Sequence, residues 1–260
     1  DLWSGVKNGS VVSAALGQAF FSIGLGSALM MTYGAYMRDD QDLPKSARLV
    51  AIADTGVGIV AGLAIFPIVF AMGLAAGAGP TLMFQTLPLA FHGMPVGGLF
   101  GLMFFILAFF AAITSSIALL EVSTKWVDEQ TKSNQRVVSV GLLGLVAFGI
   151  GVLNALSQVP TSVGETFWNT WQPLGGVALF EGMVLLDFLS ATTDLILPIA
   201  GFITAVFAGW IVSTSTAREA IGFKSEIWFK RWRFLVRYVC TTGIFIVIVY
   251  STIIAPMLAG

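Results

Sequence analysis

Charged residues are scarce in this sequence. Asp, Glu, Lys and Arg make up only 10% of the 260 residues, whereas 57% are hydrophobic and the mean hydropathy is +0.89. Soluble globular domains carry about 25% charged residues, so the composition excludes that class and predicts an integral membrane protein.

Several other features are rare or missing. The single cysteine, Cys240, excludes an internal disulfide, and the single histidine, His92, leaves no Cys/His metal cluster. No Gly-x-x-x-x-Gly-Lys phosphate loop occurs, which excludes an ATPase of that kind. Residues 1–9 are polar and a full span follows, so no signal peptide is expected. Because the chain begins at Asp1 without an initiating methionine, we expect a fragment or a processed chain.

Long apolar runs dominate what is present, and about 20 apolar residues suffice to cross a bilayer. Six such runs predict an all-α integral membrane protein with six transmembrane helices in a single domain over residues 1–260. The spans are expected at about 10–36, 49–72, 99–126, 137–156, 177–212 and 234–257.

The basic residues support this count. All except Lys7 fall between spans one and two, three and four, or five and six, or in the span ends that face these loops: Arg38, Lys45, Arg48, Lys125, Lys132, Arg136, Arg218, Lys224, Lys230, Arg231, Arg233 and Arg237. Lys and Arg favour cytoplasmic loops, so both ends of the chain are expected on the extracytoplasmic side of the inner (plasma) membrane.

The first span has a poor helix at its centre. Residues 22–27 read SIGLGS, and Gly24 and Gly26 each cost about 1 kcal/mol relative to alanine in a helix. One interpretation is a glycine-rich face that lets a neighbouring helix pack closely. The other is a break between two half-helices, whose dipole ends and free backbone groups form a binding site inside the membrane.

The order of the residues favours the second interpretation. Gly-Gln-Ala-Phe-Phe-Ser at 17–22, Gly-Leu-Gly at 24–26 and Thr-Tyr-Gly-Ala-Tyr at 32–36 closely resemble the sixth membrane helix of the neurotransmitter:sodium symporter family, in its bacterial amino-acid transporter branch. The resemblance extends to the end of the chain. It implies the second inverted repeat plus one helix of a LeuT-type fold, with the first repeat missing. It also implies sodium-coupled symport of amino-acid-type substrates by alternating access, and no enzyme activity.

The resemblance assigns substrate and sodium roles to residues of the first three spans. For the substrate it implies Phe21, Ser22, Gly24, Ser27, Ser115 and Leu119, with Phe21 as an aromatic lid. For two sodium sites it implies Ser22, Asp54, the Ala111 carbonyl and the Thr114 and Ser115 hydroxyls, each site being completed by the missing repeat. Oxygen ligands of this kind suit a small alkali cation, and no organic cofactor is expected. The alternative is structural: hydroxyls that bond back to their own helix, and a carboxyl satisfied by Gln18 or Ser22.

Gating roles follow from the same resemblance. Gln18 and Phe21 lie at the gate over the substrate, and Asp187 matches the acidic half of an outer salt bridge. Tyr36 with Asp128 or Glu129 matches an inner gate whose basic partner lies in the missing helices. The alternative for these acids is an ordinary interfacial charge. Glu121 and Asp194 are also embedded in spans, and the resemblance gives neither a role.

Two departures from the family's pattern concern specificity. Many relatives have Ser at the position of Gly24 and a bulkier residue at Ser27, so we expect a larger or more polar pocket that accepts bulky side chains. Relatives that need chloride have Asn at the position of Asp54 and Ser at that of Gly58. The Asp54 carboxylate can supply the negative charge that chloride provides, so chloride-independent transport is expected.

The expected partners are a small amino-acid-type substrate, the lipid bilayer, the missing N-terminal repeat and a second copy in a homodimer, but not nucleic acid. Two other functions stay open. One is a truncated or auxiliary membrane protein that transports nothing. The other is an intramembrane enzyme that pairs Asp54 with Asp187 or Asp194. Asp-Thr-Gly at 54–56 is also the catalytic turn of pepsin-like proteases, but those place it in a β-fold rather than an apolar helix.

Overall fold

The structure is a computed structural model that describes residues 9–38, 41–73, 82–131, 136–159, 164–177, 180–223, 225–250 and 252. Within these ranges the chain is helical and contains no strand. In chain order the α-helices are α1 (Gly9–Ile23), α2 (Leu29–Ala35), α3 (Leu43–Ala71), α4 (Leu87–His92), α5 (Gly97–Thr131), α6 (Arg136–Ser157), α7 (Phe167–Thr170), α8 (Leu185–Val206), α9 (Thr214–Ile221), α10 (Glu226–Phe234) and α11 (Thr241–Val249). Short π-helical segments precede α4 (Leu82–Thr86), extend α8 (Phe207–Ile211) and join α10 to α11 (Leu235–Cys240).

Five helices in the described part of the chain are long and apolar enough to cross a membrane. They are α3, α5, α6 and the continuous segments Leu185–Ile211 and Glu226–Val249. The one remaining predicted span is the first, at about 10–36, and it consists of α1 and α2. These helices have 15 and 7 residues, so neither half alone meets the length of a span. The chain is therefore a multi-pass membrane protein whose first span is broken, as predicted.

The long helices present apolar side chains that no soluble protein could leave uncovered. Leu63 of α3 is 71% exposed, Leu107 of α5 is 68% exposed and Phe148 of α6 is 70% exposed. Apolar surface on this scale is stable only against lipid or further protein.

The chain divides into two compact units, which we describe separately: residues 1–44 with 120–260, and residues 45–119. In the first unit α8 is the central helix, and α1, α6 and α11 pack against it. Its core contains Phe20 of α1, Leu197 of α8, and Ile244 and Val247 of α11. This packing holds the C-terminal end of α1, and so the helix break, against α8.

The second unit holds α3, α4 and most of α5. Val69 near the end of α3 and Leu87 and Ala90 around α4 are fully buried. Phe91 of α4 packs on Phe104 of α5, with ring centroids 5.7 Å apart. Within the described part of the loop after the second span, residues 82–92 are helical, and α4 packs against the N-terminal part of α5.

Candidate substrate and ion-binding site

The break in the first span lies between Ile23, where α1 ends, and Leu29, where α2 begins. Three residues of the connection have positive φ: Gly24 (+71°), Gly26 (+86°) and Ala28 (+60°). The N–H of Leu25 donates to the Phe20 carbonyl at 2.9 Å and closes the last turn of α1. Left-handed backbone is costly for any residue with a Cβ, so the two glycines are what the sequence needs here. The glycine pair thus forms a break rather than a packing face on a continuous helix.

Gly26 is also required by close packing. A Cβ built on it would lie 2.4 Å from the Leu197 carbonyl oxygen and 3.0 Å from the Gly201 nitrogen. Both atoms belong to the backbone of α8, which cannot move aside as a side chain can. The break is therefore pressed directly against α8.

Gly24 has a different neighbour. The Ser27 hydroxyl donates a hydrogen bond of 2.8 Å to the Gly24 carbonyl, which links the two ends of the break. A Cβ on Gly24 would stand 3.3 Å from that hydroxyl oxygen. Ser27 thus completes a local turn between the two ends of the break.

The two adjacent phenylalanines at the end of α1 point in different directions. Phe20 is 8% exposed and lies so close to α8 that a Cβ on Gly201 would be 2.7 Å from its ring. Phe21 is 58% exposed. Because successive helix residues are about 100° apart, burying one ring turns the next outward. Phe20 is an anchor that the sequence analysis missed, and its burial against α8 leaves Phe21 on the exposed side of α1.

The proposed sodium ligands of the third span lie on α5, in the second unit. The Thr114 hydroxyl donates to the Ala111 carbonyl at 2.9 Å and to the Phe110 carbonyl at 3.1 Å. The Ser116 hydroxyl donates to the Ala112 carbonyl at 2.8 Å. Within the described ranges the Ser115 hydroxyl makes no hydrogen bond. The back-bonding alternative thus holds for the hydroxyls of both Thr114 and Ser116, and the bond of Thr114 also places its oxygen beside the Ala111 carbonyl.

Asp54 is half-buried on α3, in the same unit as Thr114. Gly58 follows one turn later, and a Cβ built there would meet no atom within 4 Å. A serine side chain would therefore fit at position 58 without a clash. The residues near the helix break belong to the other unit: Phe21, Ser22, Gly24 and Ser27.

Tyr36 at the end of α2 has a partner that the sequence analysis did not name. Its hydroxyl donates to Oε1 of Glu121 at 2.7 Å, and Arg136 at the start of α6 donates to both oxygens of the same carboxylate at 2.7 and 2.8 Å. Lys125 lies 5.2 Å from the centre of the Tyr36 ring. Glu121 and Arg136 thus lie beside Tyr36 in the structure, and the gate of Tyr36 with Asp128 or Glu129 stays a prediction.

Among the remaining gate candidates, Glu129 is linked to this cluster through Lys125. Glu129 pairs with Lys125 at 3.7 Å. Asp187 is exposed in the first turn of α8, where the helix dipole favours an acid. Asp194 lies two turns further along the same helix. The sequence around Glu121 does not indicate its role, because its partner Tyr36 is 85 positions away along the chain.

The Sodium:neurotransmitter symporter family model matches residues 2–257. The chain belongs to this family. Its members are sodium symporters rather than enzymes, which removes the protease alternative for Asp54. The resemblance of the first span to this family is thereby confirmed.

Individual relatives agree with this assignment. The uncharacterized sodium-dependent transporter YhdH of Bacillus subtilis (strain 168) is 31% identical over 237 residues, which are 90% of this chain and 49% of the relative. The sodium- and chloride-dependent creatine transporter 1 of Bos taurus is 28% identical over 94% of this chain and 38% of its own length. The crystal structure of MhsT in complex with L-phenylalanine is 34% identical with a TM-score of 0.79, over 94% of this chain and 53% of that one. The chain therefore spans about half the length of YhdH and MhsT.

Proposed function

We propose that this chain supplies one half of a sodium-coupled symporter for amino-acid-type substrates, working by alternating access without chloride. The observation that carries the proposal is the break at Gly24 and Gly26 in a chain of a sodium symporter family. Two half-helices that end at one point expose backbone groups and dipole ends to a charged substrate. MhsT, in complex with L-phenylalanine, supports an amino acid with a bulky side chain.

The proposed sodium ligands are oxygens on three helices. On α5 they are the Ala111 carbonyl and the Thr114 and Ser115 hydroxyls, and the first two oxygens are 2.9 Å apart. Asp54 on α3 and Ser22 beside the break complete the contribution of this chain. A cation at the α5 oxygens would be bound by their lone pairs, so the Thr114 proton would turn away from it. Phe21 and Asp187 are the proposed outer gate, and Tyr36 belongs to the inner one.

Removing one ligand oxygen tests the sodium assignment. Thr114→Val keeps the shape of the side chain but leaves a methyl group where the hydroxyl was. Losing a hydrogen-bonding partner of a charged group costs about 1.5–3 kcal/mol, so half-maximal binding of L-phenylalanine should need roughly 10-fold or more sodium. The measurement is an equilibrium sodium titration on the purified full-length gene product.

Ser116→Ala is the matched control, because it lies on the same helix and its hydroxyl bonds only to the Ala112 carbonyl. Its sodium titration should stay close to that of the unmodified protein. Equal shifts in the two variants would contradict the assignment of Thr114 as a ligand.

The size of the substrate pocket has its own test. Ser27→Phe fills the space beside the break and removes the bond to the Gly24 carbonyl. Competition binding with alanine, leucine and phenylalanine should show the greatest loss for phenylalanine, because overpacking excludes the largest side chain first. Met31→Phe, on the exposed side of α2, is the control. Equal losses for all three amino acids would contradict this pocket geometry.

A further inference from the structure

A basic cavity lies where α9, α10 and the π-helical segment after α10 meet. Its volume is about 280 Å³, and its polar lining includes Arg218, Glu226, Lys230, Arg233 and Arg237. Among these described lining residues four carry positive charge and one carries negative charge. None of them belongs to the candidate substrate or sodium sites, which lie on other helices.

Two of the arginines are fixed to the backbone that ends the fifth span. Nη2 of Arg233 donates to the Val212 carbonyl at 2.8 Å, and Nε of Arg237 donates to the Gly209 carbonyl at 2.8 Å. Arg237 also lies over the ring of Trp210, 5.0 Å from its centre. Each guanidinium is held at one side only, so its remaining N–H groups are oriented without further loss of side-chain freedom. Such pre-organised forks suit planar or tetrahedral oxyanions.

Arg233 has donor capacity that this chain does not use. Its Nη1 is buried, and no acceptor among the described residues is within hydrogen-bonding distance. A buried donor of a charged group is costly when it stays unpaired. Glu226 does not fill this role, because it pairs with Lys230 at 3.0 Å. The Nη1 group of Arg233 is therefore free to donate to an oxygen of a ligand in the cavity.

The surroundings of the cavity are those of a membrane boundary. Trp210, Ile227, Trp228, Phe234 and Leu235 are all at least half exposed, at 53, 64, 60, 57 and 50%. They lie at the end of one candidate span and the start of the next. Exposed tryptophans beside a basic cluster are typical of the headgroup layer, where basic pockets between helices bind anionic lipids.

We propose that this cavity binds the phosphate headgroup of an anionic phospholipid, with Arg233 and Arg237 as its fixed ligands and Arg218 and Lys230 at the rim. The acyl chains lie along the exposed apolar side chains of α10 and the segment that follows it. A lipid headgroup and free inorganic phosphate would both present a phosphate group to these side chains. The exposed apolar side chains around the cavity favour the lipid.

The test is lipid binding by the purified full-length gene product in neutral detergent. Short-chain phosphatidylglycerol is titrated and the bound lipid is counted by native mass spectrometry, with phosphatidylcholine of the same chain length in parallel. We expect saturable binding of phosphatidylglycerol, and Arg233→Gln should weaken it about 10-fold, the size of one charge-assisted hydrogen bond. Inorganic phosphate at the same concentration should not displace the lipid.

Arg231→Gln is the matched control. Arg231 is on the same helix and carries the same charge, but it lies over Trp228, 5.2 Å from the ring centre, and outside the cavity. Its effect should stay within about 2-fold, because it removes only long-range attraction. If Arg233→Gln fails to fold, the exposed pair Arg218→Gln with Lys230→Gln should lower the affinity severalfold. Equal losses for Arg231→Gln and the cavity variants, equal binding of phosphatidylcholine, or displacement by inorganic phosphate would each overturn the proposal.

Discussion

Substituting alanine for Gly26 tests whether the break depends on close contact with α8. At φ +86° an alanine carries the cost of left-handed backbone, about 1–2 kcal/mol. Its Cβ would also lie 2.4 Å from the Leu197 carbonyl oxygen, and overpacking against a fixed neighbour adds about 1–3 kcal/mol. The expected destabilisation of Gly26→Ala is therefore about 2–5 kcal/mol.

Two other glycines provide the comparison. Gly24→Ala bears the same backbone cost, but the nearest atom to its Cβ is the Ser27 hydroxyl oxygen at 3.3 Å, which can rotate. Gly17→Ala meets no atom within 4 Å inside α1, so it should be neutral or stabilise the helix by up to about 1 kcal/mol. Thermal unfolding midpoints in one detergent should fall in the order Gly17→Ala, Gly24→Ala, Gly26→Ala, from highest to lowest. A midpoint for Gly26→Ala equal to that of Gly24→Ala would refute the argument that contact with α8 defines the break.

Two further predictions concern the inner end and the chloride requirement. Tyr36→Phe removes the hydroxyl that reaches Glu121, so amide hydrogen exchange in α2 should become faster, whereas Tyr33→Phe, with an exposed ring one turn earlier, should leave it unchanged. Exchange that stays the same in both variants would show that this bond does not hold α2. Asp54→Asn combined with Gly58→Ser should make uptake require chloride, because the fixed carboxylate is gone and the new hydroxyl has open space to reach an anion. Uptake by the double variant that is equally low with and without chloride would contradict this exchange of charges.

The helix break is the part of the fold that the sequence predicts best. Gly24 and Gly26 are poor helix formers two positions apart, and both adopt the left-handed backbone that glycine tolerates because it has no Cβ. The family resemblance favoured the interpretation of these glycines as a break between two half-helices over that of a packing face. Local sequence carries this information because the cost of a glycine in a helix is itself local.

Contacts between distant segments could not be predicted in the same way. Tyr36 and Glu121 are 85 positions apart, and only the packing of α2 beside α5 shows which acid faces the tyrosine. The choice of Phe20 over Phe21 as the buried ring likewise depends on the space beside Gly201 in α8.

The start of the last span differs from the prediction for a related reason. The last span is expected to begin at about residue 234, because the basic residues before it are typical of a loop. In the structure the helix begins at Glu226. Arg233 and Arg237 remain within this continuous helix because they bond to the carbonyls of Val212 and Gly209. Long basic side chains at a membrane boundary can thus lie inside a helix that hydropathy alone divides.

Uptake of L-phenylalanine into proteoliposomes tests the central claim most directly. The full-length gene product is reconstituted, and an inward sodium gradient is imposed with gluconate as the only external anion. We expect uptake of L-phenylalanine to depend on the sodium gradient and to continue at the same rate when chloride replaces gluconate. Uptake that is equal with and without the sodium gradient would contradict sodium coupling, and uptake that stops in gluconate would contradict the role of Asp54.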